Sequence, residues 1–345
     1  MIDITALTAA QVLSIPLSEP ERLFTGNVDK AKEEWRQLTG FWHPDRNNDA
    51  EANDVCMHVN TLYDLAVSKL ANDSWKIPGI FEFKTTNGLQ FKLRYKKHRK
   101  FELGDVYIAE KLVAYVVDKA NEDFYREAKR RLSSFKFANA KMKDEVLRYL
   151  PVISKEEVTQ DSFIMLIEKT PDVFCLADVL QAAGGKLDPK HIAWITSSLL
   201  NIACYFKYAG ITHNDISTET VFVSPKHHSV MLLGGWWYSR PVDQKLIGLP
   251  ARTVNVCDPA LVSVAEHALD IELIKLTGRE ALGDASGSAL LREKVVPAPM
   301  LTWLRTFGTD KVFEEYKLWH DKVLKESFGP RKFIKLDISA DEVYQ

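Results

Sequence analysis

Two short runs carry residues with chemistry of their own: His43-Pro44-Asp45 near the amino terminus and His213-Asn214-Asp215 in the second half. Each sets an aspartate two residues after a histidine. In the first, proline keeps His43 out of the helical region and fixes a loop, so Asp45 can offer an acceptor-only carboxylate of the kind an arginine fork grips with two bonds. The plain alternative is a helix stop flanked by capping residues. The second run lies in a polar loop, Thr212 to Thr220, where Asp215 could be a loop cap and His213 a structural histidine. Elsewhere the signals are weaker. His227-His228 sits in a turn without further ligands, and Cys56, Cys175, Cys204 and Cys257 show no C-x-x-C spacing, so neither a metal site nor a disulfide framework is expected.

The elements that must position these runs follow from the hydrophobic period. Over residues 28 to 42, Val28, Ala31, Trp35, Leu38 and Trp42 recur at helical spacing, and Val55, Val59, Leu62 and Ala66 form a second stripe. Two amphipathic helices joined by a short loop fold back antiparallel, which leaves residues 43 to 45 at the tip of a hairpin. Turn signals at Asn72-Asp73, Pro78-Gly79 and Asn87-Gly88 read as a linker over 71–88. Beyond it the period becomes two, through Phe91, Leu93 and Tyr95, then 105–109, 112–117 and 163–167, with a helix over about 121–132. After residue 170 the chain is mainly helical. Asp188-Pro189 starts a helix that stops at Gly210, and strands are expected at 220–223 and 230–233. A late helical stripe runs Val312, Tyr316, Trp319, Val323 and ends before Gly329.

The run Trp42-His43-Pro44-Asp45-Arg46-Asn47 between its two helices resembles a J-domain over about residues 20 to 70. That resemblance implies contact with an Hsp70 (DnaK-type) chaperone and stimulation of its ATPase, with Asp45 pairing to a chaperone arginine and Arg46 continuing the loop. It also implies a basic helix face, for which Lys30, Lys32 and Arg36 are available, although Glu33 and Glu34 interrupt them.

The order of elements from about 89 to 335, a small sheet with one helix, a hinge-like strand, a helical lobe, a polar loop and a β-hairpin, resembles the protein kinase fold. The resemblance implies that Asp215 would be the catalytic base, His213 a support of the loop, Glu127 the partner of a nucleotide-binding lysine, and Asp270 an anchor in a buried helix. The remaining parts are missing. Thr220 stands where a metal-binding asparagine is expected and Gly234 where a metal-binding aspartate is. Val113-Ala114-Tyr115-Val116 puts valine in the lysine position, and a shifted register would use Lys119 instead; both registers stay open.

The expected architecture is therefore α+β: a J-domain-like helical domain over 1–70, a linker over 71–88, a kinase-like N-lobe over 89–168, a helical C-lobe over 169–335 and a tail over 336–345. A co-chaperone-like adaptor is expected, with a degenerate kinase-like domain that binds a client or partner and takes no cofactor or metal. The alternatives are an active atypical phosphotransferase using Asp215 and an oligomerisation scaffold. Fusions of this kind resemble proteins carried by large bacteriophages. The charges nearly cancel, 45 basic against 47 acidic, and the basic run at 92–100 fits an exposed edge strand better than a nucleic-acid site. Met1 to Thr5 shows no leader and no long apolar run appears, so a cytoplasmic protein without a membrane partner is expected.

Overall fold

The computed structural model describes residues 7–72, 75, 79–330 and 332–344, in two units divided after Tyr95. Met1 to Thr5, Asp73 and Pro78, read above for a leader and for turn signals, lie outside the described residues.

In the first unit, α1 (Ala9–Leu13) opens on a capping box between Thr8 and Gln11. Asn27 caps α2 (Val28–Phe41), its side-chain oxygen accepting the N–H groups of Asp29 and Lys30. With α3 (Ala52–Ala71) it buries Ala31, Leu38, Val55, Val59, Leu62 and Ala66, the stripes expected from the period. Trp35 stacks on Tyr63 at 4.9 Å and donates its indole N–H to Asn60 at 2.8 Å, which fixes how the two helices meet.

The segment read as a linker is partly strand. β1 (Ile80–Lys84) pairs antiparallel with β2 (Gln90–Arg94), Phe83 opposite Phe91. Asn87-Gly88 closes this hairpin: Gly88 has φ +88° and Thr85 accepts from Gly88 and bonds Leu89. A strand therefore lies inside the range 71–88, and β2, expected to begin the N-lobe sheet, belongs to the first unit.

The second unit begins with β3 (Lys97–Phe101), β4 (Gly104–Ile108) and β5 (Leu112–Asp118), continues through α4 (Glu122–Leu132) and α5 (Ala140–Leu147), and returns as β6 (Ile153–Val158) and β7 (Ser162–Glu168). These strands form one antiparallel sheet in the order β3-β4-β5-β7-β6. Val113, Tyr115 and Val117 of β5 alternate into the core with Met165 and Ile167 of β7, which leaves Ala114 and Val116 on the opposite face. α5 was not foreseen.

A short strand β8 (Phe174–Cys175) leads into α6 (Leu176–Ala182) and α7 (Pro189–Ala209), the latter capped by Asp188 and stopped by Gly210 at φ +69°. Then come β9 (Ile211–Thr212), β10 (Val221–Ser224), β11 (Ser229–Leu232) and β12 (Arg240–Pro241), followed by α8 (Ala251–Val256), α9 (His267–Ala281), α10 (Ser288–Glu293), α11 (Ala298–Leu304), α12 (Val312–Leu318), α13 (Leu324–Phe328) and α14 (Ala340–Val343). The late stripe is not one regular helix, because a π turn at Trp319–Val323 separates α12 from α13. Trp319 is buried there and donates its indole N–H to Ser197 of α7 at 2.8 Å. The expected tail also has structure: Ser339 and Glu342 form a capping box, Val343 is buried, and Tyr344 meets Phe174 edge-on at 5.7 Å. Among the described residues no helix is long and apolar enough to cross a membrane.

Helix α9 runs through the core and carries Lys275, whose side chain is fully buried. Its ammonium bonds Glu315 at 3.1 Å, Thr306 and the Phe307 carbonyl at 3.0 Å each, and lies 4.7 Å from the Trp303 ring centroid. Burial pushes this lysine below its ordinary pKa, and Glu315 pulls the other way. Removing one partner strands a charge, so Glu315→Ala is expected to cost about 3–5 kcal/mol in urea denaturation, while the double replacement Lys275→Met, Glu315→Leu costs less. Equal losses in the two variants would show that the ion pair does not tie α9 to α12.

Candidate functional site

At the hairpin tip Trp42 is buried and His43, Pro44, Asp45 and Arg46 are exposed. The N–H groups of Arg46 and Asn47 each donate to the His43 carbonyl at 2.9 Å, closing one turn. The Asp45 N–H donates to His43 Nδ1 at 3.2 Å, so the imidazole holds the loop from within while the Asp45 side chain stays 86% exposed. Along α2, Lys30, Lys32 and Arg36 are exposed. Of the two acidic residues that interrupt them, Glu34 is turned toward Thr25, accepting its N–H at 2.8 Å and its hydroxyl at 3.3 Å. Glu33 alone remains on the exposed face.

In the second unit the loop after β9 is held from below. Asp270, in the first turn of α9, accepts the backbone N–H of His213 at 2.9 Å and of Asn214 at 2.8 Å. Burial pushes its carboxyl up to about 7, and those two bonds act in the opposite direction. His213 is buried, its Nδ1 accepting from the Asp215 N–H at 3.3 Å, which leaves Nε2 to donate to the Gly234 carbonyl at 3.0 Å. Burial lowers its pKa to about 3, so the imidazole is neutral and serves as a strut between the loop and residue 234. Asn214 takes φ +68° and donates its amide to the Tyr238 carbonyl at 2.8 Å. Thr220 donates to the Asp215 carbonyl at 2.7 Å and accepts from the Ser217 N–H at 2.9 Å, so its hydroxyl closes the loop.

Asp215 itself is buried against Gly235, and no hydrogen bond reaches its carboxyl group among the described residues. Burial pushes that carboxyl well above its ordinary value, with Arg252 offsetting part of the effect.

Neither register considered for the lysine position holds. Val116 lies on the outer face of β5, and Lys119 lies beyond the strand in a 3-10 turn, its ammonium 6.0 Å from the Phe163 ring centroid. The residue that faces the loop is Tyr115. Its hydroxyl lies 2.6 Å from where a Cβ on Gly234 would be, and Thr220 atoms lie 3.3 Å from the same point. Burial raises the phenol well above its ordinary pKa, so it stays protonated. Its ring meets Trp237 edge-on at 5.1 Å and Phe101 at 6.0 Å, both on the core side of the sheet. Trp236, Trp237 and Tyr238 are all buried and make core.

Glu127 pairs with no lysine either. Its buried carboxylate accepts from Arg131 at 2.9 and 3.1 Å and from Arg130 at 2.9 Å, and Arg240 of β12 lies 3.2 Å away. Arg99, read within a solvent-facing basic run, instead crosses from β3 to pair with the buried Asp178 of α6 and donates to Cys175 Sγ at 3.2 Å. Lys97 stands 3.9 Å from the same carboxylate. The sheet and the helical lobe are thus tied by Arg99–Asp178 on one side and Glu127–Arg240 on the other. Among the described residues, no cluster of three or more metal-ligating side chains is present.

No family model matches the chain, and no curated protein matches it. Among solved structures it is similar to one described as the structure of vaccinia related kinase 3, at 13% identity and a TM-score of 0.47, over 72% of this chain and 92% of that one.

The contact between residues 115 and 234 can be measured directly. Gly234→Ala is expected to destabilise the protein by about 1–3 kcal/mol, because its methyl group meets the Tyr115 hydroxyl, and the loss should shrink in a Tyr115→Phe background. Strictly additive effects in thermal denaturation would mean that the hydroxyl does not occupy that space.

Proposed function

We propose that the chain is a co-chaperone-like adaptor whose first unit engages a DnaK-type Hsp70 and whose second unit is a catalytically degenerate, kinase-like scaffold that binds a client or partner protein. The observation that carries this reading is the loop at residues 43–46: a turn closed by its own backbone and by His43, with the Asp45 carboxylate exposed to solvent 3.7 Å from His43 Nδ1 and open to a cation on another protein. A carboxylate fixed in this way is suited to a bidentate arginine pair, and Lys30, Lys32 and Arg36 add a positive face that favours encounter with an acidic surface. A cytoplasmic setting, where Hsp70 and free thiols both occur, fits the reading.

The second half of the reading is supported by element order and by what fills the cleft. A five-stranded sheet with a helix, a short connecting strand, a helical lobe and a loop anchored by Asp270 repeat the sequence of parts expected of a kinase. Phosphoryl transfer requires a cation and metal ions to hold the phosphates. In this reading Tyr115, Thr220 and Gly234 take those positions: the Tyr115 hydroxyl fills the space a side chain on residue 234 would need, and Thr220 closes the loop.

The test is the ATPase rate of a bacterial-type Hsp70 with the full chain added. Stimulation is expected with the natural sequence, and loss of it with His43→Gln or Asp45→Asn at unchanged melting temperature. Asp215→Ala should stimulate as well as the parent. Stimulation that survives both loop substitutions would remove the co-chaperone reading, and its loss in Asp215→Ala would give the second unit a catalytic part in the activity.

A further inference from the structure

Between α13 and α14 the chain has no regular secondary structure, and among the described residues no backbone-to-backbone hydrogen bond joins 330–338 to the rest of the second unit. A segment docked in this way is held by its side chains. His228, in the turn between β10 and β11, stacks on Trp194 of α7 at 4.8 Å and on Phe333 at 4.2 Å, so its imidazole bridges the two rings. Three residues on, Leu336 is buried in the main core. Beyond it α14 packs on α6, burying Val343 and setting Tyr344 edge-on against Phe174.

The far end of this segment reaches the tie between sheet and helical lobe. Asp178 of α6 receives Arg99 and Lys97 on its Oδ1, while its Oδ2 is buried and accepts no hydrogen bond among the described residues. The Tyr344 hydroxyl is buried and unpaired as well. Burial raises that phenol above its ordinary pKa and the Asp178 carboxylate raises it further, so the hydroxyl keeps its proton at neutral pH. An acceptor lacking a donor is enclosed beside a donor lacking an acceptor. Each costs stability until the other satisfies it.

We propose that residues 333–344 are a detachable strap: held by Phe333, Leu336, Val343 and Tyr344, they leave and return as one piece while the rest of the unit stays folded, and in the docked state the Tyr344 hydroxyl serves the free oxygen of Asp178 and so steadies the Arg99 tie. Docking of the strap then stiffens the sheet against the helical lobe. Release requires no strand or core helix to open, because only side-chain contacts and the short α14 are lost.

Native-state hydrogen exchange of the full chain in sub-denaturing urea tests the release. The amides of Val343 and Tyr344, which donate to the Ser339 and Ala340 carbonyls within α14, should exchange about 100-fold faster than those in the middle of α7 and α9, with little dependence on urea. Phe333→Ala, at an exposed ring, should speed the α14 amides about tenfold and leave α7 and α9 unchanged. Tyr344→Phe, which keeps the ring, should lower the melting temperature, and most of that shift should vanish in an Asp178→Asn background. Exchange of α14 only together with α7, at the same urea dependence, would make the segment part of the core and overturn the strap. Unchanged α14 exchange in Phe333→Ala would show that the segment does not move as one piece, and strictly additive shifts at 344 and 178 would show that the hydroxyl does not serve Asp178.

Discussion

A tyrosine hydroxyl occupies the space that a side chain on residue 234 would need, and the interior of the second unit is arranged around that contact. Because Tyr115 points into the core from the middle of β5, glycine is required at 234, and the backbone there is free to accept the His213 imidazole. Trp237 and Phe101 close around the same ring. The interlocking aromatics supply apolar burial at this point, and a packed interior tolerates neither a void nor an extra group there.

The loop carrying Asp215 is held by a framework of its own. Asp270 holds two of its N–H groups, and a hydrogen bond of this kind contributes about 0.5–1.5 kcal/mol, so the framework has a purpose in folding alone. His213, neutral and buried, joins the loop to residue 234. Arg99–Asp178 and Glu127–Arg240 then fix the sheet against the helical lobe. By contrast the loop at residues 43–46 is built for exposure, with its internal bonds made by backbone and imidazole and its carboxylate left in water. One unit hides its aspartate and the other presents one.

Much of this was legible in the residues. The helical stripe with Asp188-Pro189 at its start and Gly210 at its end placed α7 closely, because those residues leave little freedom in where a helix begins or stops. Asn87-Gly88 was ambiguous, since the same turn serves a linker or a hairpin, and only the facing of Phe83 with Phe91 decides it. The strand at 112–118 was legible but not its cleft-facing residue: strict alternation separates Tyr115 from Val116 without saying which side is inward. The pairing of Glu127 with Arg130 and Arg131 is present in the sequence at helical spacing, whereas Arg240 and the Arg99–Asp178 pair join residues far apart in the chain and leave no local signal.

The proposed degeneracy of the second unit turns on the Tyr115 hydroxyl lying where a side chain on residue 234 would stand. Isothermal calorimetry of ATP with magnesium into the full chain tests it most directly: no binding heat is predicted up to about 1 mM nucleotide, and magnesium-dependent binding with a Kd of about 1–10 μM would contradict it.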